Sequence, residues 1–539
     1  MTPYHYRPLP RVPSHLAVLA GLTFACSTAL AQMNSAVKAS PANGPVFAVR
    51  GFDISGDNPL SLAEVERILA PYVRPDATLA SLQQAATALE EVIKQRGFNL
   101  YRVVLPPQEV GGTIRLNLVR FVLDKVSIEG QHSISEANIR ASLPELVEGQ
   151  APNFKTLAIQ TAIANENPSK QIQVGIKESE AADRIDARIQ VKEDKPWNFS
   201  VVLNNTGSDA TGHDRVTLAG GHNNLFDRDH QFTAAYTTSL TNSSNVSQLG
   251  LNYRIPMYRQ GGVIGLSYTK SDVLGDFGAF KSNGAGKTMG LNYYAYLPPE
   301  GGRRAYVGVG LEDKQFNVTE INGIPISGQQ MRRSRPLTVS YNARREADTW
   351  VLSYNTELAL NLSGGSGNDM TAYKSEDPRI STTRWKTLRA AASYSATLPH
   401  GWLWGLRGQF QFSPDALISG EQFGLGGIHS VRGTAERPIS GDGGLSLSAE
   451  LTAPELAQGW RLLGFIDAGW LSNHDPNAYK PGSDSLASVG LGLRYNSQKI
   501  TLAVDYGHVI TGSNVTFVPG SALPQRGDKK LHLSLIARF

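Results

Sequence analysis

The stretch GGIHSVRGTAERPISGDGGLSLSAELT, residues 426–452, sets two kinds of text side by side. Its first part is punctuated by Gly426, Gly427, Gly433, Gly441, Gly443 and Gly444, and no helical or strand period runs through it. Such a density of glycine suits a backbone that turns through positive φ and packs closely. It reads as a folded loop presenting one guanidinium, Arg432, between Val431 and Gly433. Its second part alternates. Leu445, Leu447, Ala449 and Leu451 fall on one face, and Ser446, Ser448, Glu450 and Thr452 on the other. Period two is the mark of a strand. The pattern returns just downstream, where Ile466, Ala468 and Trp470 oppose Phe465, Asp467 and Gly469. The Asp467 carboxylate therefore faces away from the apolar set. A loop arginine that folds inward can pair with it, with Glu450 as a second acceptor.

Outward from this stretch, residues 194–539 carry the same alternation throughout, in segments of about ten residues divided by Gly, Asn, Asp, Ser and Pro clusters. Sixteen such segments can be counted, with the glycine loop, 413–442, between the eleventh and twelfth. A soluble sandwich or propeller would bury its apolar faces and leave charge on the others. Here Val489, Leu491, Leu493 and Tyr495 make one unbroken apolar face, while Gly490, Gly492 and Arg494 make the other. Apolar outside with small and polar inside is the arrangement of a membrane β-barrel. The chain closes on the same terms, Leu531, Leu533, Leu535, Ala537 and Phe539 sharing a face.

Upstream, residues 46–120 and 121–193 read as two copies of one small α+β unit. Phe52-Asp53-Ile54-Ser55-Gly56 returns as Val126-Ser127-Ile128-Glu129-Gly130, and Ser61 as Ser135. Ser61 with Glu64 forms a capping box. In the first copy Leu79, Leu82, Ala86, Leu89 and Ile93 fall on one helical face, and Gly97 ends the helix. Each copy predicts strand, helix, helix, strand, strand, a three-stranded sheet covered on one face and open along part of its edge. Residues 32–45 read as a polar linker too short for a plug helix. Residues 1–31 read as an export signal: Arg7 and Arg11, an apolar run over 16–25, and the small-residue site Ala29-Leu30-Ala31. Cleavage there removes Cys26, the one cysteine, and with it disulfide and thiolate chemistry.

Charged residues are 18% of the chain and nearly balanced, at +4, which argues against a nucleic-acid partner. His222, His429, His474 and His508 show no metal-ligand spacing, and no phosphate-binding Gly-x-x-x-x-Gly-Lys-Ser/Thr loop occurs. Neither a metal nor a cofactor is expected. Ser430 has no identifiable catalytic companions, so an enzyme is disfavoured.

Four short motifs occur in a telling order. They are Leu105-Pro106-Pro107-Gln108, Asn165-Glu166-Asn167-Pro168, Ser430-Val431-Arg432-Gly433 and Phe465-Ile466-Asp467-Ala468-Gly469. With the two repeats and the sixteen-strand barrel, the mature chain resembles the outer-membrane transporters of two-partner (type V) secretion, the haemolysin secretion/activation family. The small repeats resemble that family's POTRA domains. The resemblance implies a periplasmic POTRA pair that captures an unfolded β-rich exoprotein, an adhesin or haemolysin type, through its N-terminal secretion domain. It further implies a barrel that conducts the exoprotein and a loop arginine held by the strand aspartate. Residues 105–108 are expected to take part in partner binding. The outer face should contact outer-membrane lipid, and the strand ending at Phe539 should be read by the barrel assembly machinery. The chain departs from the family in one place, with Thr434 where an aromatic usually follows Val-Arg-Gly. The rival readings are a porin, which needs no POTRA repeats, and a barrel assembly factor, which usually has more of them.

Overall fold

The computed structural model describes residues 46–109, 111–208, 211–277, 280–321, 324–477, 480–515 and 523–539. The export signal and the 32–45 linker, with the reading of a missing plug helix, lie outside the described residues. Contacts divide the chain between Phe121 and Val122.

The first unit runs β1 (Gly51–Ser55), α1 (Leu62–Leu69), α2 (Leu79–Gln95), β2 (Tyr101–Val104) and β3 (Thr113–Arg120), with β3 central in the order β1-β3-β2. Ser61 caps α1, and its capping box with Glu64 is complete. Thr78 caps α2 in the same reciprocal way with Ser81. The helix α2 packs Leu82, Leu89 and Ile93 into the core. Leu79 does not join them and is 53% exposed, because it is the first residue after the cap and the buried stripe begins a turn later, at Leu82 and Ala85.

The second unit holds a similar α+β module and the barrel. The module runs β4 (Val122–Glu129), α3 (Glu136–Ser142), α4 (Phe154–Ala164), β5 (Lys170–Glu178) and β6 (Arg184–Glu193), again with the last strand central. Sixteen antiparallel strands then close a barrel; the eighth is interrupted at Arg335. Each pairs with its neighbours in sequence. Closure comes where Ser200–Asn204 of the first strand meets Ser534–Arg538 of the sixteenth. The outward residues are apolar and open, including Ile466 at 60% and Leu491 at 70% exposure, as lipid contact requires. The inward residues of the same strands are buried and polar: Ser446, Ser448, Asp467, Ser488, Asp505 and His532. Nothing pairs these groups with lipid, so their partners must come from inside the barrel.

Candidate functional site

The loop joining the eleventh barrel strand (Leu403–Phe412) to the twelfth (Gly443–Thr452) supplies partners for Ser448, Asp467 and His532. It folds back on itself through a two-stranded ribbon, Phe423–Leu425 against Ile439–Gly441. The ribbon carries the tip to the inner wall. Arg432, at the tip, is 1% exposed. Its Nε donates to Asp467 Oδ2 and its Nη2 to Asp467 Oδ1, each at 2.8 Å. Its Nη1 donates to Glu450 Oε1 at 2.7 Å, and its backbone N–H to Asp467 Oδ2 at 3.1 Å. One guanidinium thus serves two carboxylates on adjacent strands, in the fork geometry that lysine lacks.

The strand that receives it, the thirteenth (Trp460–Ser472), explains its own alternation. Phe465, Asp467 and Gly469 share the inner face. The Phe465 ring lies under the guanidinium, its centroid 3.5 Å from Cζ. The aspartate takes the charge. Gly469 leaves a hole for the loop's Leu425, whose Cδ2 would lie 2.5 Å from any Cβ there. Gly490 on the next strand leaves room for the Phe465 ring in the same way. Val431 is fully buried against Leu425, Leu471 and Leu486. Gly433 adopts φ +93°, and a Cβ on it would stand 2.9 Å from the Gly507 carbonyl carbon. Only glycine fits that approach. Thr434 stands where an aromatic is usual, and it closes the tip by hydrogen bonds instead. Its Oγ1 accepts from Gly427 N–H and donates to the Val431 carbonyl, both at 2.9 Å.

The loop's two roots are held by buried charges that sequence reasoning missed. Glu421 is buried and accepts from Ser334 Oγ at 2.7 Å and Arg389 Nη2 at 2.8 Å, with Lys314 Nζ at 3.3 Å. Asp442 accepts from the backbone N–H of Leu417 at 2.9 Å and His474 at 3.0 Å, and pairs with Arg379 at 3.2 Å. Beside them the short helix α5 (Met370–Glu376) and its flanks build a small core of Tyr373, Ile380, Trp385, Leu417 and Ile418. Nothing in the spacing of Glu421 or Asp442 marks them, because their partners lie on distant strands.

At the other end of the barrel the Asn165–Pro168 motif meets the barrel's turns. Lys170, with no exposed side-chain surface, pairs with Asp229 in the turn between the second (Arg215–Leu225) and third (His230–Thr238) strands. Its Nζ also donates to Asn138 Oδ1 at 2.8 Å. Burial pulls the Lys170 ammonium below its ordinary pKa, and the Asp229 carboxylate opposes that shift. Asn167 donates to the Asn223 carbonyl at 2.9 Å, and Glu166 accepts from Arg254 at 2.7 Å. Asn165 closes on β5, donating to Ile172 O at 2.9 Å and accepting from Ile172 N–H at 2.6 Å. That N–H points off the sheet edge, so by strand parity those of Val174 and Ile176 do too. Val174 and Ile176 also line a cavity of about 650 Å³ between α4 and the barrel rim, together with Phe154, Leu157, Pro299 and Arg304. A second, of about 520 Å³, shares Ala162, Pro299 and Arg304 and runs along the inner wall to Ser353, Ala392 and Gln409.

The motif at 105–108 is committed within its own unit. Leu105 packs against the core of Val49, Leu82 and Ile114. Gln108 accepts from Arg115 N–H at 2.7 Å and donates to Arg115 O at 2.8 Å, acting as one more residue of strand against β3. On β2 the Val103 N–H already donates to Glu90 at 3.0 Å.

A closed barrel with a loop locked against its inner wall and small α+β modules ahead of it defines a protein-translocating barrel of the outer membrane. Residues 183–495 match the family of the haemolysin secretion/activation protein ShlB/FhaC/HecB, and the chain belongs to that family. Residues 47–120 match the ShlB-type POTRA domain. It is a two-partner secretion transporter of the outer membrane, with its POTRA region in the periplasm. Among relatives, the chain is 24% identical over 498 residues to the outer membrane transporter CdiB of Dickeya dadantii, covering 88% of this chain and 86% of that one. It is 22% identical to the heme/hemopexin transporter protein HuxB of Haemophilus influenzae, covering 80% and 78%. Among solved structures, CdiB from Escherichia coli superposes with a TM-score of 0.69 at 20% identity, over 95% of this chain and 93% of that one, which establishes the fold.

Proposed function

We propose that residues 121–193 act as a second POTRA domain that takes an unfolded exoprotein as an added strand on β5 and feeds it directly into the lumen. The observation that carries this is the open edge at Val174 and Ile176, beside a cavity that shares lining residues with one inside the barrel. An extended chain would gain main-chain hydrogen bonds from the edge and side-chain pockets from α4. The partner is a secreted exoprotein presenting its N-terminal secretion domain, and no bond of it is made or broken. Residues 105–108, whose Leu105 and Gln108 shape the first POTRA fold, are the turn through which that domain contacts the partner.

Within the barrel, Val431, Arg432 and Gly433, with Asp467 and Glu450, form the lock that keeps the loop on the wall. The outward apolar face meets outer-membrane lipid. The last strand, with the terminal Phe539 that follows it and is 77% exposed, serves as the signal to the barrel assembly machinery.

A photo-crosslinker placed at Val174, in cells exporting the chain's exoprotein partner, tests the strand-addition reading. Crosslinks to the exoprotein's N-terminal region are expected from Val174 and not from Lys125 on β4. Equal crosslinking from both positions would remove the β5 edge from the path.

A further inference from the structure

The inner wall touches the loop tip at a second point, on the strand that closes the barrel. The Gly433 N–H donates to His532 Nε2 at 3.0 Å. His532 is fully buried, in the sixteenth strand, Lys529–Arg538. Nε2 is thus the accepting nitrogen of the ring, while Nδ1 is buried with no hydrogen-bond partner among the described residues. Its seat is fixed from both sides. Asp505 stands directly opposite in the fifteenth strand. On the other edge the first strand's ladder has ended, and the Asn205 side chain takes its place. It accepts from Leu533 N–H at 2.8 Å and donates to Leu531 O at 2.7 Å, bracketing His532. The tip therefore meets the twelfth and thirteenth strands through Arg432, and the sixteenth through Gly433.

We propose that His532 is a positioning residue for the loop: its Nε2 is a second catch that ties the tip to the closing strand, independent of the Arg432–Asp467 pair. The Arg432–Asp467 contact holds the guanidinium and the Arg432 N–H against the thirteenth strand only. A hydrogen bond to the neighbouring Gly433 N–H ties the next peptide to the sixteenth strand. It also satisfies a donor that has been taken out of water, where an unpaired N–H is costly. Gly507 makes the approach possible, since a Cβ there would lie 2.5 Å from the Gly433 nitrogen.

The inference rests on the loop being an internal element of the transporter, and its test reads the loop's position instead of secretion, so the two can fail separately. Arg432 is buried, so trypsin reaches the Arg432–Gly433 bond only when the tip has left the wall. Arg437 is followed by Pro438 and resists the same protease. The full-length protein in proteoliposomes is treated with trypsin, and cleavage after Arg432 is followed by mass spectrometry. His532→Leu, which fills the space but cannot accept, should speed that cleavage by about ten-fold or more, the shift expected from losing one buried hydrogen bond. His532→Gln, which keeps an acceptor, should stay near wild type. Gly507→Ala, which pushes the same backbone off the neighbouring strand, should match His532→Leu. If His532→Leu does not insert as a heat-modifiable barrel, His532→Asn, too short to reach, replaces it in the comparison with Gln. Cleavage at wild-type rate in His532→Leu would overturn the proposal. So would equal cleavage of the Leu and Gln variants, because the ring's packing and not its acceptor would then hold the tip.

Discussion

Arg432 and Asp467 meet edge to edge, with two parallel N–H···O contacts of 2.8 Å, and neither side chain reaches solvent. Removing one partner of such a pair strands a buried charge and costs about 3–5 kcal/mol. The two partners are not equivalent, because Arg432 serves Glu450 as well as Asp467. Arg432→Ala should therefore impair secretion more than Asp467→Asn, and Arg432→Lys should not rescue it. The double variant should be little worse than Arg432→Ala alone, as expected for residues sharing one interaction. Secretion assays beside a heat-modifiability gel check this. The strand ladders should keep every variant folded as a barrel.

The Lys170–Asp229 pair gives a second test, at the junction of the α+β module and the barrel. Lys170→Met leaves the Asp229 carboxylate with Tyr258 and Asn167 as hydrogen-bond donors. Losing a buried counter-charge at about 3–5 kcal/mol should raise amide exchange in the 226–229 turn about 100-fold or more. Lys170→Met with Asp229→Asn should recover most of that loss, since two neutral groups leave no stranded charge. Hydrogen exchange on the protein in proteoliposomes reads both.

Val174→Pro separates edge capture from fold. The Val174 N–H points away from β6, so proline there removes no ladder hydrogen bond, and an edge strand tolerates it. Thermal stability should change little while crosslinking of the exoprotein to neighbouring Ile176 falls severalfold. Unchanged capture would mean that the outward N–H contributes nothing.

Thr434 offers a fourth prediction. Thr434→Val keeps the shape but leaves the Gly427 N–H without its acceptor, a cost of about 1–3 kcal/mol. Thr434→Ser keeps the bond. Tryptic cleavage after Arg432 should rise in the valine variant and stay low in the serine one.

The barrel was legible in the sequence because a strand's period is two and the membrane punishes a misplaced charge at every outward position. That is why Leu445 to Leu451 face out and Ser446, Ser448 and Glu450 face in. The glycines at 426–427 and 433 marked the loop because backbone turned through positive φ costs other residues most. The α+β units were legible through caps and repeats, though Leu79 lost its place in the core to the geometry of the first helical turn.

By itself the sequence determined periodicity, faces and loops, all properties of neighbours along the chain. Beyond the Arg432 pairing with Asp467 and Glu450, only the tertiary structure decided which inward groups meet. It set Glu421 against Arg389 and Lys314, Lys170 against Asp229, and His532 under Gly433. It also showed the Gln108 side chain pairing with Arg115 like one more residue of strand. The physical reason is that a buried charge or N–H must be matched, but its match is fixed by barrel closure and loop return. Those bring together residues as far apart as Gly433 and His532, and no local pattern encodes that distance.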